Sequence, residues 1–324
     1  MADPKTIAVL TAGGDAPGMN AAVRAVVRTA LALGMRACGI RRGYEGLVRG
    51  DIAELGARDV GGIIQRGGTI LQTARFPDFA RPEVQQEALR QFKVRGVDAL
   101  VAIGGDGTMR GAAALQKLGF PVVGIPASID NDVYGTDISI GVDTALNTIL
   151  DAIDKLRDTA SSHQRAFIVE TMGRSCGHLA LMSGIISGAE MILIPEQEAS
   201  AEEVAEAVRG AHARGKTHAI VVASEGAKLH AIALKEKLDA MHPGFDLRVT
   251  ILGHVQRGGS PSAWDRLIAA RLGVAAVERL HKGESGVMVG LQAREVVGTA
   301  LAEVASRQRD ADLEYYRMAR MLAK

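Results

Sequence analysis

The sequence predicts an α/β protein built on two doubly wound, mostly parallel sheets with helices on both faces. Three observations lead there. Short runs of Val, Ile, Leu and Ala alternate along the chain with stretches of helical periodicity, the pattern of strand–helix–strand units. The 324 residues are long enough for two such sheets. Glycine and acidic residues gather just after the apolar runs, where open parallel sheets bind ligands.

Residues 6–10 read as a buried strand and 11–18 as a turn-rich loop. A helix follows over 19–33, with Val23, Val27, Ala30 and Leu31 on one face and Gly34 as its stop. Strand 37–40, helix 83–92, strand 97–103, helix 109–118 and strand 122–125 complete the first run. Residues 142–156 form a strongly amphipathic helix, striped by Val142, Leu146, Ile149, Ile153 and Leu156. Strands at 166–169, 191–194, 219–223 and 249–252 alternate with helices at 177–186, 201–214 and 232–240. A long helix over 264–281, a strand at 287–289 and a helical tail end the pattern.

Composition removes several function classes. Apolar residues make up 47%, enough for substantial cores, but aromatics only 3%. A binder of single-stranded nucleic acid wants more stacking surface. A net charge of +1 gives no bulk attraction to nucleic acid or membrane. No uncharged stretch is long enough to span a bilayer, and no signal peptide is evident. Cys38 and Cys176 show no metal-type spacing and read as small core residues. A reducing cytoplasm is the expected setting.

The polar residues at strand exits carry the chemistry. Thr11-Ala-Gly-Gly-Asp-Ala-Pro-Gly18 suits either backbone contact with phosphate at a helix start or a tight turn alone. Ile103-Gly-Gly-Asp-Gly-Thr108 is sharper. Its glycines admit close backbone approach, Asp106 offers the hard oxygen that Mg²⁺ prefers, and Thr108 can bond phosphate or cap the next helix. Ser128-Ile-Asp-Asn-Asp132 supplies two carboxylates that an extended segment would point to one side; an Asx-rich turn is the plain alternative. Arg165, Arg174, Arg248 and Arg257 are candidate phosphate ligands, His254 stands among them, and Glu225 could hold sugar hydroxyls or cap a helix. A phosphate loop followed by a carboxylate loop suggests phosphoryl transfer. The dinucleotide fingerprint is missing, which disfavours a dehydrogenase.

These residues resemble the bacterial-type 6-phosphofructokinases over essentially the whole chain, through 10–20, 66–79, 103–108, 128–143, 156–165, Met172-Gly-Arg174 and 252–261. The resemblance implies ATP-dependent phosphorylation of fructose 6-phosphate at its 1-hydroxyl, with Mg²⁺. It implies Asp130 as general base, Asp132 as charge or metal partner, Ser128 beside them in place of the usual threonine, Asp106 as the Mg²⁺ ligand, and Arg174 on the transferring phosphoryl group. Gly14, Tyr44, Arg75, Phe76, Gly105, Gly107 and Thr108 would line the ATP site. Met172, Gly173, Glu225, His254 and Arg257 would hold the sugar phosphate, with Arg165 and Arg248 reaching it from a neighbouring subunit of a homotetramer. Arg24, Arg28, Arg157, Glu190, Arg214 and Lys216 match an effector site for ADP or GDP and for phosphoenolpyruvate, although Ala57 and Gly62 replace an arginine and an aspartate there. The implied domains are 1–141 plus 256–306 for the nucleotide, and 142–255 plus 307–324 for the sugar phosphate and effectors. Gly107 and Ala127 favour ATP over pyrophosphate, whose users tend to carry aspartate and lysine there. A pyrophosphate-dependent enzyme and a catalytically silent sensor of nucleotides and organic acids are the alternatives.

Overall fold

A computed structural model describes residues 4–323. They form two compact units. The first takes the chain up to Ser128, then Asp132–Thr144 and Arg257–Gln308; the second takes Ile129–Asn131, Ala145–Gln256 and the chain from Arg309 onward. The expected changeovers at 141/142, 255/256 and 306/307 stand against observed ones at 144/145, 256/257 and 308/309, and residues 129–131 form an additional excursion into the second unit.

The first unit is built on seven strands in the order β11-β10-β5-β4-β1-β2-β3. These are β1 (Thr6–Ala12), β2 (Arg36–Ile40), β3 (Ile52–Glu54), β4 (Ala99–Gly104), β5 (Val122–Pro126), β10 (Val287–Gln292) and β11 (Glu295–Ala300). The central strands are parallel; β3 and β11 join the edges antiparallel. Every residue of β1, β4 and β5 is buried, as expected of strands covered on both faces. The helices are α1 (Met19–Ala32), α2 (Gly43–Arg49), α3 (Pro82–Arg95), α4 (Asp106–Lys117), α9 (Ala263–His281) and the short α10 (Leu301–Val304).

The second unit holds four parallel strands in the order β7-β8-β6-β9: β6 (Arg165–Thr171), β7 (Met191–Leu193), β8 (Ala219–Ser224) and β9 (Asp246–Ile251). Its helices are α6 (His178–Ser187), α7 (Ala201–Ala213), α8 (Ala231–Met241) and α11 (Leu313–Leu322), with α5 (Val142–His163) contributing all but its first three residues. Ser200 opens α7 with a complete capping box, its hydroxyl accepting from Glu203 N while the Glu203 carboxylate accepts from Ser200 N. The core on one face is aliphatic, from Ile168, Val221 and Leu247 to Val204, Val208, Leu234 and Leu238.

The elements differ from the sequence reading in several places. β3, α2 and β11 were not expected, being short or half-exposed. β9 begins at Asp246 rather than 249, because an edge strand with alternating exposure makes no continuous apolar run. Helix α5 continues to His163. Helix α4 begins at Asp106 rather than 109, so Asp106, Gly107 and Thr108 form a helical first turn and not a loop ahead of one.

Candidate active site

In the first unit the polar residues lie where β1, β4 and β5 end. Gly13 takes a left-handed φ of 83°, and its carbonyl accepts from the Thr73 hydroxyl at 2.7 Å. A Cβ on Gly14 would sit 2.7 Å from Nη1 of Arg257, so the glycine lets the guanidinium lie on the backbone. The Arg257 guanidinium is 4.0 Å from the Asp15 carboxylate, and its buried Nε has no hydrogen-bond partner. Arg257, expected with the sugar phosphate, thus rests on an expected ATP residue.

Thr108 does not cap α4. Gly105 is the N-cap, without a side-chain bond, and the Thr108 hydroxyl donates to Ala12 O at 3.0 Å. Gly104 makes that contact fit, since a Cβ there would lie 2.3 Å from Thr108 Oγ1 and 2.4 Å from Ala12 O. The buried Tyr44 hydroxyl donates to Thr108 O at 2.7 Å, and its ring stacks on Phe79 at 4.1 Å. Burial pushes that phenol well above its ordinary range. Arg75 is exposed and Phe76 half-buried.

Asp106 occupies the first turn of α4, where a carboxylate is favoured by the helix N-terminus. Its partners are Arg110, at 2.7 Å one turn on, and the side chain of Gln308. Burial raises its pKa above the ordinary value, Arg110 opposes this, and the charge of Asp132 adds to it. The Ser128 hydroxyl donates to Asp132 Oδ1 at 3.0 Å, and Ser128 N donates to Ile140 O. Two oxygen-bearing carboxylates whose charges act on each other fit a hard divalent cation. Among the described residues no cluster of three candidate ligand side chains exists; the remaining ligands of a Mg²⁺ ion would be water and phosphate oxygens.

In the second unit, Asp130 is only 3% exposed, and its Oδ2 lies 3.5 Å from Nε of Arg174. Of the two conformations open to the segment it takes the turn: Asn131 is left-handed at φ 55° and residues 129–130 form a turn. The turn chemistry of Asn and Asp prevails over strand-like alternation. Asp130 is nearly sealed from solvent, whereas Asp132 is half-buried.

Beyond β6, Arg174 also has a left-handed φ, 51°. Glu225 holds this loop by its backbone, with Oε1 accepting from Gly173 N at 3.3 Å and Arg174 N at 3.1 Å. Met172 N donates to Oε1 of Gln256 at 3.2 Å. Gln256 is fully buried and donates to Gly253 O. Sequence reasoning missed it between His254 and Arg257. His254 itself is exposed on a 3₁₀ turn, Gly253–Arg257.

Arg165 and Arg248 are together but apart from this loop. Both pair with Asp246, at 3.2 and 2.7 Å. Arg165 opens β6 and Met172 follows its end, a separation of roughly 20 Å along a strand. Of the expected effector residues, Lys216 pairs with the buried Glu190 at 2.9 Å, whose other oxygen accepts from Ile220 N. Arg157 contacts His218 at 3.3 Å and Ser187 O, and Arg214 lies over Gly210. In the first unit Arg24 is half-buried, and Arg28 reaches the Ala57 carbonyl at 3.5 Å.

A family model described as phosphofructokinase matches residues 6–280. The chain is 52% identical over 320 residues to ATP-dependent 6-phosphofructokinase 1 of Thermus thermophilus, covering 98% of this chain and 99% of that one. It is 50% identical to the ATP-dependent 6-phosphofructokinase of Clostridium acetobutylicum, covering 99% and 100%. The solved structure of phosphofructokinase from Saccharomyces cerevisiae superposes with a TM-score of 0.87 at 38% identity, over 93% of this chain and 45% of the yeast chain.

Proposed function

The chain belongs to the phosphofructokinase family, and from that premise we propose how its residues carry out the family's reaction. The enzyme is an ATP-dependent 6-phosphofructokinase: it transfers the terminal phosphoryl group of ATP to the 1-hydroxyl of fructose 6-phosphate, giving ADP and fructose 1,6-bisphosphate in glycolysis. Asp130 accepts the proton of the 1-hydroxyl as its oxygen bonds to the terminal phosphorus. The bond from that phosphorus to the ADP oxygen breaks, and ADP leaves. The observation that carries this reading is the sealed Asp130 carboxylate paired with Arg174 at 3.5 Å. It gives a base away from bulk water and a cation for the phosphoryl oxygens.

Asp106 and Asp132 are the residues that would hold Mg²⁺, which when bound neutralises phosphate charge. Gly14, Gly105 and Gly107 offer backbone groups to the polyphosphate, while Thr108, its hydroxyl bonded to Ala12 O, shapes the turn that lines the site and Tyr44 supports it. Room beside the phosphates favours ATP over pyrophosphate: a Cβ on Gly107 would meet nothing within 4 Å. Met172, Gly173, Glu225, His254 and Arg257 serve the sugar phosphate. The distance of Arg165 and Arg248 from the Arg174 loop supports their working in another copy's site, and hence an oligomer, for which the family resemblance suggests a homotetramer. The Arg157, Glu190, Arg214 and Lys216 group, with Arg24 and Arg28, is the proposed site for a purine diphosphate and phosphoenolpyruvate. We place the enzyme in the cytoplasm; among the described residues no helix is long and apolar enough to cross a membrane.

Asp130→Ser tests the reading. We expect kcat to fall at least ~10²-fold with sugar KM much less affected, and near-normal turnover would remove Asp130 as base. Coupled assays with ATP and with pyrophosphate test the donor, and robust turnover with pyrophosphate alone would overturn the ATP assignment.

A further inference from the structure

The loop between β6 and α6 reaches the catalytic turn at two points, and only one of them is the Arg174–Asp130 pair. The second lies one residue on in the turn and four residues on from Arg174. His178, the first residue of α6, brings Nε2 to 3.3 Å from Nδ2 of Asn131. Asn131 is 1% exposed and holds a left-handed φ of 55°. Asparagine is among the side-chain-bearing residues that enter this region most readily, and the conformation persists where the surroundings fix it. All four residues belong to the second unit.

The anchor behind His178 is firm. Gly177 N donates to both carboxylate oxygens of Glu196, at 2.9 and 3.1 Å. Glu196 Oε1 also accepts from Ala311 N at 2.8 Å. The start of α6 is therefore tied to the C-terminal segment as well as to the Arg174 loop. The amide nitrogen of Asn131 can only donate, so the geometry requires a lone pair at His178 Nε2 and the proton on Nδ1. Burial, helped by the charge of Arg309, lowers the His178 pKa to about 4, which keeps that lone pair available near neutrality.

We propose that His178 is a positioning residue: as a neutral acceptor for the Asn131 amide it holds the left-handed turn that aims Asp130. This rests on the reading of Asp130 as general base. Misaiming a base by a fraction of an ångström lowers turnover without removing substrate contacts.

The test compares His178→Leu, His178→Gln, Asn131→Gly and the double variant His178→Leu/Asn131→Gly, with Asp130→Ser alongside. Glutamine can return an acceptor, whereas leucine fills space without one; glycine at 131 tolerates the backbone angle without the amide. The expected result is a roughly tenfold loss of kcat in His178→Leu, with KM for fructose 6-phosphate changed less than about threefold. His178→Gln should keep most of kcat, and His178→Leu should cost nothing further once Asn131 is glycine. Wild-type kcat in a folded His178→Leu would overturn the proposal. Equal losses of kcat and thermal midpoint in the Leu and Gln variants would also overturn it, as would additive losses in the double variant. If Asp130→Ser turns over normally, the base assignment fails instead, whatever the His178 variants show.

Discussion

Arg257 shows how a single hydrogen atom in place of a methyl can arrange a charge. Its guanidinium occupies the space that a side chain at Gly14 would need. Gly14→Ala should displace the far end of a flexible side chain rather than the backbone, so its cost falls on function and not on folding. We expect kcat/KM to drop about tenfold with a thermal midpoint within ~2 °C of wild type; steady-state kinetics beside a melting curve check both. His178 makes the opposite case, a residue whose protonation state enters stability. Its folded pKa of about 4 lies below the 6.5 of a free imidazole, so between those values the unfolded chain binds more protons. Stability is therefore lost as pH falls through that window, by on the order of 3 kcal/mol at its acid end. His178→Gln should flatten this part of the curve in urea titrations between pH 4 and 6.5, and an unchanged slope would contradict the burial of the imidazole.

Among the elements, two helix starts show how burial sets the value of the same device. Ser200 opens α7 at the surface, and Ser200→Ala should cost about 1 kcal/mol. Asp265, near the start of α9, is fully buried. Its carboxylate accepts from Gly141 N and Thr144 N, each at 2.8 Å, and from the Thr144 hydroxyl at 2.5 Å. Ser262 caps α9 and donates to Asp143 at 2.5 Å, so the starts of α5 and α9 satisfy each other. Asp265→Ala would strand buried donors, and we expect a loss of about 2–4 kcal/mol in denaturant unfolding. A cost no larger than that of Ser200→Ala would contradict the argument. This pairing was not legible in the sequence, where Asp265 reads as one more acidic residue on a helix and its partners lie more than 100 positions away. The buried parallel strands were legible because continuous Val, Ile and Ala runs such as 99–104 leave few alternatives. So were the strand-exit residues Asp106, Asp130 and Arg174, marked by glycine and charge directly after those runs. The conformation of 128–132 was legible only as a choice: its Asn and Asp residues suit a turn as well as an extended pair, and nothing local decides between the two.

At the scale of the molecule, both units draw on separated stretches of chain, and the polypeptide passes between them at 128/129, 131/132, 144/145, 256/257 and 308/309. That much shared covalent structure, with α5 contributing residues to both, should make unfolding a single cooperative event. Trp264, the lone tryptophan, lies in the first unit and is 41% exposed, so its fluorescence follows that unit while far-UV circular dichroism follows both. The two probes should give coincident urea transitions; separated midpoints would show that the units unfold independently. The strand order carries one more consequence, for the nascent chain. β5 pairs with β4 on one side and with β10 on the other, yet β10 begins only at Val287. At roughly 5–20 residues per second, translation needs on the order of 10–30 s to supply it. Throughout that interval a fully apolar strand presents bare amide and carbonyl groups beside the ribosome, open to pairing with any neighbouring polypeptide.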